Sequence, residues 1–149
     1  MRHKNAISQI NRERKQELHS LFRQALAIAQ DRASIFATVD TVCHICADLP
    51  ASRFFISDYW AGRYIKLRLA GKQKHFRNPR KDKLYKALFD QFQKVAAEDK
   101  YRNRSFDSLV DIALRQPAPC IGLSPTYLKL VFRQELNIYQ YNVNKDKPC

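Results

Sequence analysis

Apolar residues recur at helical spacing along most of the chain. Leu18, Leu21, Phe22, Ala25, Leu26, Ile28 and Ala29 follow the i, i+3, i+4, i+7 rule and predict an amphipathic helix from about Arg14 to Gln30. Val39, Val42, Cys43, Ile45, Cys46 and Leu49 predict a second, with Thr38 as N-cap. Pro50 ends it, because the residue before a proline is pushed out of the α region. A third helix starts at Ser57-Asp58, carries Tyr59, Trp60, Ala61, Tyr64, Ile65, Leu67 and Leu69, and closes on Gly71, a natural C-cap.

The order then returns. Leu84, Leu88, Phe89, Phe92, Val95 and Ala96 predict one helix, and Phe106, Leu109, Val110, Ile112, Ala113 and Leu114, after Ser105, predict the next. Ser124-Pro125, a serine cap before a proline at the first helical position, opens a last helix with Tyr127, Leu128, Val131, Phe132 and Leu136.

The return keeps one register. Pro50-Ala51 and Pro117-Ala118 stand 67 positions apart, and that offset pairs Leu21 with Leu88, Phe22 with Phe89, Asp40 with Asp107, Ser57 with Ser124 and Lys66 with Arg133. Apolar positions and punctuation recur together, which predicts a tandem duplication of a three-helix, helix-turn-helix-like unit in an all-α fold. The boundaries expected are an N-terminal arm, or a frayed start of the first helix, at 1–13, a first repeat at 14–71, a basic linker at 72–81, a second repeat at 82–143 and a tail at 144–149. Short extended segments are expected at 53–56, 121–123 and 138–143, the last from its alternating residues.

Composition sharpens this picture. With three glycines and six prolines among 149 residues, the turns that an all-β protein requires are missing. A repeat of roughly fifty residues makes a marginal core alone, so the two must pack together or the chain must form a homodimer. Lys and Arg number 27 against 14 Asp and Glu, a net charge of +13. Such a field favours polyanions, with nucleic acid ahead of a membrane surface. No run approaches the apolar length of a membrane span, and Met1-Arg2-His3-Lys4 precedes no apolar stretch of a signal peptide, so a cytoplasmic setting is expected.

Cys43-His44-Ile45-Cys46 invites a metal or redox reading, but no second Cys or His pair stands at ligand spacing. On a helix both cysteines share the apolar face of Val39 and Val42, so core thiols are expected, with no metal and no cofactor. No glycine-rich phosphate loop or framed carboxylate pair points to catalysis, and the chain reads as a binding protein rather than an enzyme.

A helix held by a turn, burying one stripe and presenting the other, can enter a major groove. The outward positions of the third helices are Tyr59, Gly62, Arg63 and Lys66 in the first repeat, and Thr126, Lys129, Leu130 and Arg133 in the second. Lys66 and Arg133 coincide in the repeat and are the best shared contact to phosphate or base. Lys72, Lys74, Arg77, Arg80 and Lys81 of the linker can track phosphates, with His75 or Phe76 stacking. The competing reading leaves these cations simply solvated.

Gly122-Leu123-Ser124-Pro125-Thr126-Tyr127-Leu128 with Phe132-Arg133-Gln134-Glu135 resembles the helix-turn-helix of AraC-type transcription regulators, which carry two such units in tandem. The resemblance implies DNA binding by Thr126, Lys129 and their neighbours. Leu49-Pro50-Ala51-Ser52-Arg53-Phe54-Phe55-Ile56-Ser57 is similar to a signature of small, basic, uncharacterised bacterial proteins, which supports a real module and gives no activity. If that signature meets a ligand, Arg53 with Phe54 or Phe55 supplies charge and stacking; otherwise Phe54 and Ile56, with Ile121 and Leu123, are core anchors. The expectation is a duplex-DNA-binding protein, a small transcription regulator or mobile-element accessory protein. A helical interaction module with an acidic partner, or an RNA-binding protein, is the alternative.

Overall fold

The structure is a computed structural model that describes residues 2–33 and 39–133. Among them the chain is helical: α1 (Arg2–Ala33), α2 (Val39–Asp48), α3 (Asp58–Leu69), α4 (Pro79–Ala97), a single 3-10 turn (Asp99–Tyr101), α5 (Phe106–Leu114) and α6, helical over 125–133. The expected Thr38 cap, the 138–143 strand and the 144–149 tail lie outside the described residues.

Local chemistry explains the helix starts. Ser57, Ser105 and Ser124 each accept a hydrogen bond from a first-turn amide, of Trp60 at 3.4 Å, Ser108 at 3.2 Å and Tyr127 at 3.2 Å. Each cap contributes about 1 kcal/mol. Asn78 caps α4 by accepting from the Arg80 amide at 3.0 Å, with Pro79 in the first position, where its missing N–H costs nothing. α3 ends in a Schellman motif: Gly71 has φ +79°, its amide donates to Arg68 O, and the Lys72 amide donates to Leu67 O.

Three expected boundaries move. Residues 2–13 are not an arm but the first turns of the continuous α1, which has few apolar residues there to announce it. The linker ends at Asn78, so Arg80 and Lys81 ride on α4. The 53–56 and 121–123 segments form no strand, and Gly122 turns the second with φ +83°; the crossing stretches touch in one antiparallel bridge, where Ala51 N–H donates to Ala118 O and Ala118 N–H to Ala51 O, both at 3.0 Å.

The larger correction concerns which helices pack together. α1 packs on α2 and α4 on α5, as two repeats would. α3, however, packs on α4 and α5. Reciprocally, α6 meets α1 and α2: the Phe132 and Phe22 rings lie 4.4 Å apart, and Lys129 pairs with Asp40 at 2.9 Å. The first two helices of each repeat thus receive the third helix of the other. α2 and α3 form no packed pair, so the expected helix-turn-helix within one repeat is replaced by a composite of α4, α5 and α3. The Pro-Ala segments are where the chain crosses over, and the reciprocal Ala51 and Ala118 bonds close the crossing. Phe54 N–H donates to Leu114 O at 2.9 Å, which ties the first crossing segment to the end of α5.

Both crossing segments feed one continuous core. Phe54, Ile56 and Ile121 are buried beside Leu21, Ile65, Leu88, Leu114, Leu128 and Phe132, and no polar or charged residue among those described is buried with them. Burying a side chain such as Phe54 or Phe132 stabilises by about 1.5–3 kcal/mol, so exchange is held by the same force that would have held each repeat alone.

Candidate nucleic-acid interface

Two hollows adjoin on the side of the molecule where the crossings meet. The larger, about 530 Å³, lies where the Ser57, Asn78 and Ser124 caps come together, with Arg14 of α1, Trp60 of α3, Lys81 of α4 and Tyr127 of α6 around it. The smaller, about 230 Å³, is shaped by Trp60, Arg63, Lys74, Phe76 and Lys81. Trp60, Lys81 and Tyr85 belong to both, which joins the two into one face.

Arrangement of the aromatic rings follows from the helix spacing. Tyr59 and Trp60 project from the first turn of α3, 52% and 51% exposed, and meet edge to face at 5.1 Å. Arg63, one turn on, donates to the Tyr59 hydroxyl at 3.1 Å and places its guanidinium 5.9 Å from the Trp60 ring. Phe76 stacks at 4.5 Å on Tyr85, and the Lys74 and Lys81 ammonium groups stand 5.4 and 4.9 Å from its ring. Phe76 is anchored by its amide, which donates to Asp82 at 3.3 Å. The Lys86 ammonium, chiefly, and that amide hold the Asp82 carboxyl below the ordinary carboxylate range. Burial pushes the Tyr64 and Tyr85 phenols up, so they stay neutral and add no negative charge to the face.

Electrostatically the face is one-sided. Among the described residues no carboxylate lines either hollow, and neither Arg14 nor Lys81 has a carboxylate partner. A third hollow, between α3 and α5, shares Arg63 and Leu67 with the smaller one and holds Lys66 and Lys72 together with Asp58 and Asp107.

The residues expected to bind nucleic acid divide accordingly. Arg63, Lys74 and Lys81 gather on the joined face, and Lys72 and Arg77 lie exposed on the same stretch of chain. Lys66 is exposed but leans on α5, its ammonium 5.1 Å from the Phe106 ring, and no described hollow takes in both it and Arg133. Thr126 and Arg133 are exposed on α6. Three cations prove to be engaged elsewhere. Arg53 pairs with Glu13 at 2.9 Å, three-quarters buried under α1, and acts as a clamp with the Ser52 to Glu17 hydrogen bonds beside it. Arg80 pairs with Asp48 at 2.9 Å, and Lys129 with Asp40.

Arg14, Asn11, Trp60 and Tyr127 were not among the expected contacts, yet they frame the larger hollow. The repeat register contained the signal: the 67-residue offset that pairs Ser57 with Ser124 also pairs Trp60 with Tyr127, Arg14 with Lys81 and Asn11 with Asn78.

Cys43 and Cys46 lie in the core, and burial, with Cys43 next to it, pushes the Cys46 thiol up to about 12. Cys120 is buried as well and its thiol is raised by burial. Such thiols are poor nucleophiles and poor ligands at neutral pH. Among the described residues no three metal-ligating side chains gather, and no helix is long and apolar enough to cross a membrane. Comparison with protein-family models, with curated proteins and with solved structures finds no match to the chain.

Proposed function

We propose that this chain binds nucleic acid, duplex DNA foremost, through the cationic and aromatic face centred on Trp60 and Lys81. One observation carries the reading. In a chain with 14 acidic residues, two adjoining hollows collect Arg14, Arg63, Lys74 and Lys81 and, among the described residues, no acid. Unpaired cations in a shared concavity raise the local potential for phosphates, and a net charge of +13 steers the encounter. Two linked copies of an ancestral helical block, acting in the cytoplasm as a small transcription regulator or mobile-element accessory protein, fit that chemistry. Half-exposed Tyr59, Trp60 and Tyr127 also favour a second reading, single-stranded DNA or RNA, because bases stack on such rings without regard to sequence.

Fluorescence anisotropy with labelled duplex DNA, single-stranded DNA and RNA across a salt series tests this. Duplex affinity should fall steeply with salt, and changing Lys72, Lys74 and Arg77 together to Ala should weaken it about tenfold or more at low salt and flatten the slope by about 0.9 per lost phosphate contact. Changing Lys66 and Arg133 together to Ala should weaken it less, since the two stand apart. If duplex does not bind even at low salt while a single strand does, the second reading takes over. If no nucleic acid binds, a helical interaction module for an acidic protein replaces both.

A further inference from the structure

We infer that the larger hollow is a nucleotide pocket, a site for one aromatic base with its phosphate, distinct from the general attraction of the surface for a polyanion. The inference stands apart from polymer binding, since a pocket of this kind works on a free nucleotide as well.

Its volume of about 530 Å³ falls within the roughly 300–1,000 Å³ usual for small-ligand sites. Its chemistry comes in matched pairs brought from distant parts of the chain by the crossing: two cations, Arg14 and Lys81, and two half-exposed rings, Trp60 and Tyr127. Among the described residues the cations have no carboxylate to satisfy them, and the wall has none to repel an anion. A guanidinium and an ammonium across one cavity suit a phosphate, the first as a bidentate fork and the second as a point charge. The rings sit at equivalent places on α3 and α6, each in the first turn after its serine cap, so both helices aim their electropositive ends and one ring into the same space.

Hydrogen-bonding capacity is also uneven in a useful way. Asn78 is engaged at both ends of its amide: its Oδ1 accepts from the Arg80 amide and its Nδ2 donates to Gly122 O at 3.3 Å. Asn11, its equivalent on α1, is exposed and makes no such bonds among the described residues, so its amide can meet a base edge. An aromatic pair, a cation pair and one free amide together call for a planar ring that carries both hydrogen-bonding groups and a phosphate. A bare phosphate would leave the rings and Asn11 idle.

Trp60 is the chain's sole tryptophan and lines both hollows, so its fluorescence reads the joined face, and Arg14, which lines the larger hollow and not the smaller, assigns the signal between them. The full chain is titrated with adenosine monophosphate, thymidine monophosphate, inorganic phosphate, phenyl phosphate and a short single strand with or without a 5′-phosphate. Saturable quenching by a nucleoside monophosphate, at least about tenfold tighter than by inorganic phosphate, is expected, because stacking adds to the charge contact. Arg14→Ala should weaken it about tenfold, Tyr127→Ala several-fold, and Tyr127→Phe hardly at all. Should Arg14→Ala melt early, Arg14→Gln keeps the helix and still removes the charge.

Quenching by the 5′-phosphorylated strand that competes with the mononucleotide would identify a strand end as the source. Quenching by the mononucleotide alone would identify the free ligand. The pocket is refuted if no nucleotide quenches saturably, if Arg14→Ala is without effect, or if phenyl phosphate matches the nucleotides. Polymer anisotropy separates the two readings: binding of duplex without nucleotide quenching sinks the pocket alone. Quenching that survives the Lys72, Lys74 and Arg77 triple change while polymer binding disappears upholds the pocket.

Discussion

The third helices of the two repeats meet their neighbours in different ways. α3 lies against α5 with Gly62 3.6 Å (from the position of an added Cβ) from the Phe106 ring and the Lys66 ammonium over that ring. On α6 the position of Gly62 is taken by Lys129, and the position of Phe106 on the facing helix is taken by Val39, 37% exposed. There the contact is an ion pair, Lys129 to Asp40. One seam is closed by an aromatic ring under a glycine, the other by two charges in water. Outer faces diverge too, since Arg63 of α3 is matched on α6 by Leu130, 61% exposed. The two third helices share a serine cap and an inward stripe, while α3 carries the aromatic and cationic outer face. The joined face therefore gathers around α3, and α6 contributes Tyr127 to it.

The comparison breaks first at the seams. Phe106, which also packs edge to face on Phe92 at 5.5 Å, should cost about 2–3 kcal/mol when changed to Ala, whereas Val39→Ala should cost under about 1 kcal/mol. Urea unfolding of both variants measures this, and equal losses would mean that the seams are not different in kind. Glycines give the next largest contrast. Gly122 has φ +83°, and a Cβ there would come within 2.6 Å of Leu84 Cδ2. Gly122→Ala should therefore destabilise by about 1–2 kcal/mol. Gly62 is mid-helix with only ordinary contact to Phe106, so Gly62→Ala should be neutral or gain up to about 1 kcal/mol from helix propensity.

What could be seen in the sequence was local. Ser57, Ser105, Ser124, Pro50 and Gly71 announced their helix ends because a cap is decided by a few neighbouring atoms. The inward stripe of Ala61, Tyr64 and Ile65 was equally plain, since it depends only on period. An apolar stripe does not name the helix it will meet, however, so the exchange of α3 and α6 stayed hidden. α1 hid its first turns because few apolar residues mark a stripe there. The larger hollow was readable in principle, as Arg14 with Lys81 and Trp60 with Tyr127 stand in the repeat register. A register by itself does not reveal that two equivalents face each other. Only the Ala51 to Ala118 crossing does that.

The smallest effect is expected at the second seam and couples stability to binding. Lys129 and Asp40 lie 2.9 Å apart with side chains 54% and 67% exposed, so the pair is screened and should contribute no more than about 1 kcal/mol. Lys129→Ala should change the urea midpoint only slightly, and added salt should shrink the difference further. Asp40→Asn should behave alike in stability yet differently in binding. It frees the Lys129 ammonium for a phosphate, and duplex affinity at low salt should rise modestly, with the salt slope steeper by about 0.9. A loss from Lys129→Ala as large as that from Phe106→Ala would show the ion pair to be an anchor of α6. An unchanged slope in Asp40→Asn would place α6 outside the bound surface, leaving α3 and the 72–81 stretch to carry it alone.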